Sequence, residues 1–255
     1  MERKDQQHTR VNKIVLGFIE RPVLAWLAKR MPAWVTPDKL TLLGLFGTIL
    51  TSISYYLTNF NPLYLWLASI GLVINWFGDS LDGTIARYRK IERPKYGFFV
   101  DHVMDGIGET LVVFGIALSP YVNFNVAMVA LIGYLLMGNL VYITTFIRGI
   151  FRISYLGLGP TEVRVILIIM NALAFYLGDR MVEASWGVYS IYDYILMVLA
   201  VLLFGAFLVT SITTALELAQ EEKLARREKE EQKEVVAESH PESDLKKMVE
   251  TPNID

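Results

Sequence analysis

The chain has 255 residues, of which 53% are hydrophobic, with no cysteine and a formal net charge of −2. This apolar fraction exceeds that of an ordinary soluble domain. The near-neutral charge gives no support for a nucleic-acid partner, and the lack of cysteine excludes disulfides and thiolate metal sites within the chain.

Residues 1–39 precede the first long apolar run and do not resemble a signal peptide, because Glu20-Arg21-Pro22 interrupts their apolar stretch. Four apolar residues share one face if this segment is helical: Val11, Ile14, Val15 and Phe18. The pattern predicts an amphipathic helix that lies in the membrane interface, with Trp26 and Trp34 at headgroup depth. A soluble N-terminal arm is the alternative.

Six apolar runs approach the roughly 20 residues that a helix needs to cross a bilayer. They cover residues 40–58, 62–80, 102–120, 124–147, 162–178 and 190–216. The sequence therefore predicts an all-α, multi-pass integral membrane protein. We expect an N-terminal arm with the interfacial helix over 1–39, a six-helix transmembrane domain over 40–217 and a charged cytoplasmic tail over 218–255.

The basic residues are distributed very unevenly among the connecting segments. Of the 24 Lys and Arg residues, 23 precede residue 40, lie within 87–98 or 148–164, or follow residue 216, and Arg180 is the exception. Basic residues near the ends of membrane spans stay on the cytoplasmic side. This distribution predicts that both termini and the 87–98 loop are cytoplasmic.

Four aspartates lie at the ends of the second and third runs that meet this loop. Asp79 and Asp82 are three residues apart, and Asp101 and Asp105 are four apart, so each pair shares one face of its helix. Small residues flank both pairs: Gly83, Ala86, Gly97 and Gly108. Helix capping explains a single aspartate at a helix end. Two pairs at helical spacing instead favour a functional site, because carboxylates near lipid are costly.

Carboxylate oxygens are the ligands that hard divalent cations such as Mg²⁺ and Mn²⁺ prefer. Two such ions would neutralise the four aspartates, and a pair of metals is a known clamp for displacement at phosphorus. Arg87 follows the first pair and adds the permanent positive charge that a phosphate-bearing substrate requires. The aspartates therefore predict a site for phosphoryl transfer that uses Mg²⁺ or Mn²⁺ as cofactor, with two ions bound.

The same residues form the string Asp79-x2-Asp82-Gly83-x2-Ala86-Arg87-x9-Gly97-x3-Asp101-x3-Asp105. This string resembles the signature of the class I CDP-alcohol phosphotransferases, which are integral membrane enzymes of phospholipid synthesis. The gap of nine residues before Gly97 is one longer than the commoner spacing in that family. Upstream, Asp38 in "TPDKLT" stands where the family usually has asparagine.

The resemblance implies that all four aspartates bind metal and that Asp105 is also the general base. It assigns four residues to the CDP pocket: Gly83, Ala86, Arg87 and Gly97. It also implies a homodimer and the transfer of a phosphoalcohol, with release of CMP. The favoured reaction moves phosphatidyl from CDP-diacylglycerol to a small polar alcohol. The alternative is a CDP-ethanolamine or CDP-choline:diacylglycerol phosphotransferase.

Two further features leave alternatives open. Arg148, Arg152 and Arg164 lie on the predicted cytoplasmic side, where they would bind a phosphate on the acceptor or serve only as positive-inside anchors. A divalent-cation transporter would also use intramembrane carboxylates. However, the aspartates of this chain cluster at one predicted membrane face, without a matching set at the midplane where a transport pathway needs one.

Overall fold

The computed structural model describes residues 16–148, 159–185 and 187–239. Within these ranges the chain forms seven α-helices and one antiparallel hairpin. The helices are α1 (Gly17–Arg30), α2 (Pro37–Leu57), α3 (Tyr64–Arg89), α4 (Pro94–Ala117), α5 (Phe124–Arg148), α6 (Pro160–Leu177) and α7 (Ile191–Ser239). Each of the six predicted apolar runs coincides with one of the helices α2–α7, so the prediction of an all-α fold is confirmed.

The hairpin is the one departure from this prediction among the described residues. Strand β1 (Met181–Ala184) pairs with β2 (Gly187–Ser190) in the connection between α6 and α7, with Met181 opposite Ser190. Strands of four residues are too short to show a period-two pattern in the sequence. The hairpin therefore adds a feature that the apolar runs did not predict.

Four of the described helical segments are long and apolar enough to cross a membrane. They are Pro37–Leu57, Phe124–Arg148, Pro160–Leu177 and Ile191–Val235. Helices α3 and α4, which carry the four aspartates, are not among them. The count of six membrane spans therefore stays a prediction.

The chain divides into two compact units, Met1–Phe207 and Leu208–Asp255. In the second unit, the described residues continue α7 as far as Ser239, and every residue from 221 to 235 is exposed. An exposed, highly charged helix is compatible with the charged tail predicted for residues 218–255. The predicted domain bounds themselves stay a prediction.

Helix α1 exposes Phe18 and Trp26 and buries Leu24 and Ala28. Val11, Ile14 and Val15, the other members of the predicted amphipathic face, lie outside the described residues. An exposed aromatic face is compatible with a helix in the membrane interface. The interfacial placement of this segment stays a prediction.

Glu20 attaches α1 to two other helices. Its Oε1 accepts hydrogen bonds from Trp76 Nε1 at 2.9 Å, Ser80 Oγ at 3.0 Å and Thr161 Oγ1 at 2.8 Å. Hydrogen bonds to an ionised group are stronger than those between neutral groups. Helix α1 is therefore held against α3 and the first turn of α6 by one carboxylate oxygen.

Helices α2 and α3 pack with their backbones almost in contact. A Cβ atom added at Gly47 would lie 2.5 Å from Asn75 N, and one added at Gly78 would lie 2.4 Å from Gly44 N. Glycines permit this close approach because they have no side chain to separate two helices. The approach at Gly78 fixes the position of the next residue, Asp79, relative to α2.

We expect Gly47→Ala to lower the free energy of unfolding by about 1–3 kcal/mol, the usual cost of overpacking a core. The added methyl group meets backbone atoms of α3, which cannot rotate away as a side chain does. Gly138→Ala on α5 is the matched control, because its Cβ meets no atom within 4 Å. Thermal unfolding of both variants in detergent measures the difference, and equal midpoints would contradict the packing argument.

Candidate metal centre

Three of the four predicted aspartates come together in the structure. Asp79 on α3 and Asp101 and Asp105 on α4 each offer a carboxylate oxygen, and these oxygens all lie within 4.8 Å of one another. The three residues are partly buried. A compact donor set made only of carboxylate oxygens fits a hard divalent cation such as Mg²⁺ or Mn²⁺. The prediction of a shared metal centre on these three residues is therefore consistent with the geometry.

Asp82 lies one turn after Asp79 and has other hydrogen-bond partners. Its Oδ2 accepts a hydrogen bond from Thr41 Oγ1 on α2 at 2.5 Å, and its Oδ1 accepts one from Gly83 N at 2.5 Å. The charge of Asp82 interacts with those of Asp79 and Asp101. Asp82 thus borders the three-carboxylate group, and its role as a metal ligand stays a prediction.

Arg164 reaches the aspartates from α6. Its Nη2 donates to Asp79 Oδ2 at 2.6 Å, and its Nε donates to Asn75 Oδ1 at 2.7 Å. The structure therefore places this arginine at the predicted metal centre itself. Arg148 is exposed at the end of α5, and Arg152 lies outside the described residues.

The residues predicted to bind CDP lie near the C-terminal end of α3 and in the first turn of α4. The Arg87 guanidinium covers Gly83, since a Cβ there would lie 3.2 Å from Arg87 Nη1. Arg87 Nη2 donates to Thr84 Oγ1 at 3.3 Å. Ala86 is partly exposed, and a Cβ at Gly97 would meet no atom within 4 Å. Of these positions Gly97 has open space around it, and the role of all four residues in nucleotide binding stays a prediction.

Two polar residues at this site, Asn75 and Glu109, are not among those predicted from the sequence. Asn75 precedes Asp79 by one turn and binds Arg164, as described above. Glu109 follows Asp105 by one turn, and its Oε1 accepts a hydrogen bond from Tyr134 Oη on α5 at 2.5 Å. In both cases the spacing of four residues from an aspartate was a signal that the sequence already contained.

Comparisons with known proteins agree with this arrangement. A family model described as CDP-alcohol phosphatidyltransferase matches residues 34–219, which include all four aspartates. An archaetidylinositol phosphate synthase from Pyrococcus horikoshii is 38% identical over 99 residues, which are 39% of this chain and 50% of that protein.

Two cholinephosphotransferases 1 are more distant and match longer segments. The protein from Gallus gallus is 27% identical over 167 residues, or 62% of this chain and 49% of its own length. The protein from Homo sapiens is 25% identical over 213 residues, or 78% of this chain and 51% of its own length. The chain thus spans about half the length of these curated relatives. Because the family model covers well over half of the chain, including its aspartate string, the chain belongs to the CDP-alcohol phosphatidyltransferase family.

Proposed function

We propose that this protein transfers a phosphoalcohol group from a CDP-linked donor to a hydroxyl acceptor and releases CMP. The favoured donor is CDP-diacylglycerol and the favoured acceptor is a small polar alcohol. The observation that carries the proposal is the convergence of Asp79, Asp101 and Asp105 within 4.8 Å in a chain of this family. A site of this kind can bind a divalent cation together with a phosphorylated substrate.

The aspartates Asp79, Asp82, Asp101 and Asp105 would hold two Mg²⁺ or Mn²⁺ ions. When bound there, such ions would stabilise the negative charge of a pyrophosphate group. Arg87 offers a permanent positive charge for the same group. Gly97 has open space around it and Ala86 is partly exposed, and we assign both, with Gly83 beneath the Arg87 guanidinium, to the nucleotide pocket.

Asp105 is the proposed general base. It takes the proton of the acceptor hydroxyl as that oxygen attacks the phosphorus atom on the lipid side of the donor. The new bond joins the acceptor oxygen to phosphorus, and the bond from that phosphorus to the oxygen of CMP breaks. CMP leaves with the electron pair of the broken bond.

Arg148, Arg152 and Arg164 are proposed to bind a phosphate on the acceptor. Guanidinium groups match phosphate oxygens in geometry as well as in charge. The position of Arg164 beside Asp79 supports a role close to the reacting groups. For Arg148 and Arg152, anchoring at the cytoplasmic membrane surface remains the competing explanation.

A second candidate reaction uses CDP-choline or CDP-ethanolamine as donor and diacylglycerol as acceptor. The similarity to cholinephosphotransferase 1 over as much as 78% of this chain favours it. The shorter match to an archaetidylinositol phosphate synthase has the higher identity and favours the first reaction. A divalent-cation transporter is the non-enzymatic alternative, and it has no reason to bind a cytidine nucleotide.

The apolar helices and the family support an integral membrane protein. We propose that α2–α7 all cross the bilayer, that both termini and the aspartate site face the cytoplasm, and that the protein forms a homodimer among membrane lipids. A site at the membrane surface suits this chemistry because a CDP-linked reaction joins one lipid to one water-soluble substrate. No nucleic-acid partner is proposed.

We expect purified protein to release CMP from CDP-diacylglycerol when a small polar alcohol and Mg²⁺ or Mn²⁺ are present. A panel of alcohols, each tested with and without a phosphate group, identifies the acceptor and tests the arginine assignment. CDP-choline and CDP-ethanolamine with diacylglycerol form the second arm. Asp101→Asn is the inactive control. Absence of CMP release and of metal-dependent CMP binding in both arms would contradict the proposed reaction and favour the transporter.

Variants of Asp105 and Asp82 separate proton transfer from metal binding. Asp105→Asn keeps an oxygen for coordination but lacks a basic carboxylate, so we expect kcat to fall by about 10²–10⁴-fold, the usual contribution of a general base. Binding of the CDP-linked donor should survive. Asp82→Asn should weaken metal affinity, and added metal should restore part of its activity. If saturating metal rescues both variants equally, Asp105 is only a ligand.

Single-cysteine labelling tests the proposed topology, since the natural chain has no cysteine. In sealed cells, an impermeant maleimide should leave Lys90→Cys unlabelled, because the connection between α3 and α4 faces the cytoplasm. Glu183→Cys, in the exposed hairpin, is the matched control and should react readily. Labelling of Lys90→Cys from outside would refute the cytoplasmic location of the aspartate site.

A further inference from the structure

Arg164 is held in one orientation by two residues of α3, Asn75 and Asp79, and Asn75 is itself fixed by α2. Asn75 Nδ2 donates to Gly44 O at 3.1 Å and to Thr48 Oγ1 at 2.9 Å, both on α2. These contacts turn Asn75 Oδ1 toward Arg164 Nε, which donates to it at 2.7 Å. The guanidinium is therefore fixed by Asn75 at one edge and by Asp79 at the other.

The Arg164 side chain is only 12% exposed, and its charge acts on more than one carboxylate. Besides its hydrogen bond to Asp79, it interacts electrostatically with Asp105 and Glu109. A partly buried group of like charges repels itself, and a cation among them offsets that repulsion. Arg164 thus supplies positive charge at the place where the divalent cation is proposed to bind.

Arg164 and a metal ion would compete for the carboxylate of Asp79. A carboxylate has two oxygens, and Arg164 Nη2 donates to Oδ2 at 2.6 Å. A cation that approaches Asp79 meets the positive guanidinium as well as the negative carboxylate. The Arg164–Asp79 ion pair therefore predicts that loss of the arginine charge raises the affinity of the site for a divalent cation.

The third donor group of this arginine has a different environment. Arg164 Nη1 is buried and has no hydrogen-bond partner among the described residues. A buried donor without a partner is costly and requires an explanation. Phosphoryl oxygens are the acceptors that a guanidinium edge recognises best.

We propose that Arg164 is the internal counter-ion of the aspartate cluster and that its Nη1 donates to a phosphoryl oxygen of the substrate bound there. Nη2 and Nε position the guanidinium on Asp79 and Asn75, and Nη1 contacts the substrate. This inference rests on the proposed function, because it requires a phosphorylated substrate beside the aspartates. The phosphoryl oxygen belongs to the CDP-linked donor or to a phosphorylated acceptor.

The test is a Mn²⁺ titration of the purified full-length protein, followed by electron paramagnetic resonance in the absence of substrate. We expect Arg164→Gln to bind Mn²⁺ at least about tenfold more tightly, because the competing charge is lost. Arg164→Lys keeps the charge and should bind Mn²⁺ within about threefold of the natural protein. Arg180→Gln is the matched control, since it removes an arginine beyond the other end of α6, and its Mn²⁺ affinity should not change.

Substrate constants provide the second readout. A lysine ammonium lacks the guanidinium fork, so Arg164→Lys should weaken the binding of one phosphorylated substrate by about tenfold. Calorimetric binding of CDP-diacylglycerol forms one arm, and the KM of the acceptor identified by CMP release forms the other. The arm that changes identifies the source of the phosphoryl oxygen. If neither constant changes, the contact made by Nη1 is refuted.

Weaker or unchanged Mn²⁺ binding by Arg164→Gln would overturn the counter-ion role, since a purely structural arginine should stabilise the site. Should that variant fail to fold, Arg164→Lys carries the test, and a tenfold loss of its Mn²⁺ affinity overturns the proposal. A natural protein that binds no Mn²⁺ refutes the metal site and hence the proposed function. By contrast, a natural protein that binds Mn²⁺ as tightly as Arg164→Gln does refutes only the counter-ion role and leaves the proposed function standing.

Discussion

Helix α2 is the surface on which the aspartate-bearing helices are positioned. On one side, Gly47 and Gly78 bring its backbone against α3. On another, a Cβ at Gly115 of α4 would lie 2.7 Å from Ser52 Cα. Glycine and other small residues allow such contact without intervening side chains. Since α3 and α4 both approach α2 so closely, their carboxylates are held at a separation that neither helix alone determines.

The contacts around Asp79 connect this frame to the first helix of the described chain. Glu20 of α1 accepts hydrogen bonds from Ser80, the residue after Asp79, and from Thr161, three residues before Arg164. The ion pair between Arg164 and Asp79 joins α6 to α3 directly. One carboxylate and one guanidinium thus fix α6 against α3 at neighbouring levels. A displacement of α1 would therefore disturb the Arg164–Asp79 ion pair at the aspartate site.

The sequence was most informative where local periodicity determines structure. Apolar length located all six helices α2–α7, and the spacing of three or four residues placed the aspartates on common helical faces. Partners distant in the sequence were beyond such reasoning. Arg164 was identified as a basic residue of the cytoplasmic side, but its contact with Asp79 crosses 85 positions. Thr41 likewise reaches Asp82 only because α2 and α3 pack together. Periodicity within one helix carries no information on which helices become neighbours.

The aspartates differ both in their position along the helices and in their hydrogen-bond partners. Asp82 and Asp101 each lie seven residues from the connection between α3 and α4, which is about 10 Å along a helix axis. Asp79 and Asp105 lie farther in, about 15 Å from it or slightly more. The Asp79 side chain is accordingly less exposed than that of Asp101, at 24% against 34%. Asp82 is partly buried as well, and its partners are neutral hydrogen-bond donors, Thr41 Oγ1 and the Gly83 backbone. The inner carboxylate has less water, and a full positive charge from Arg164 compensates it.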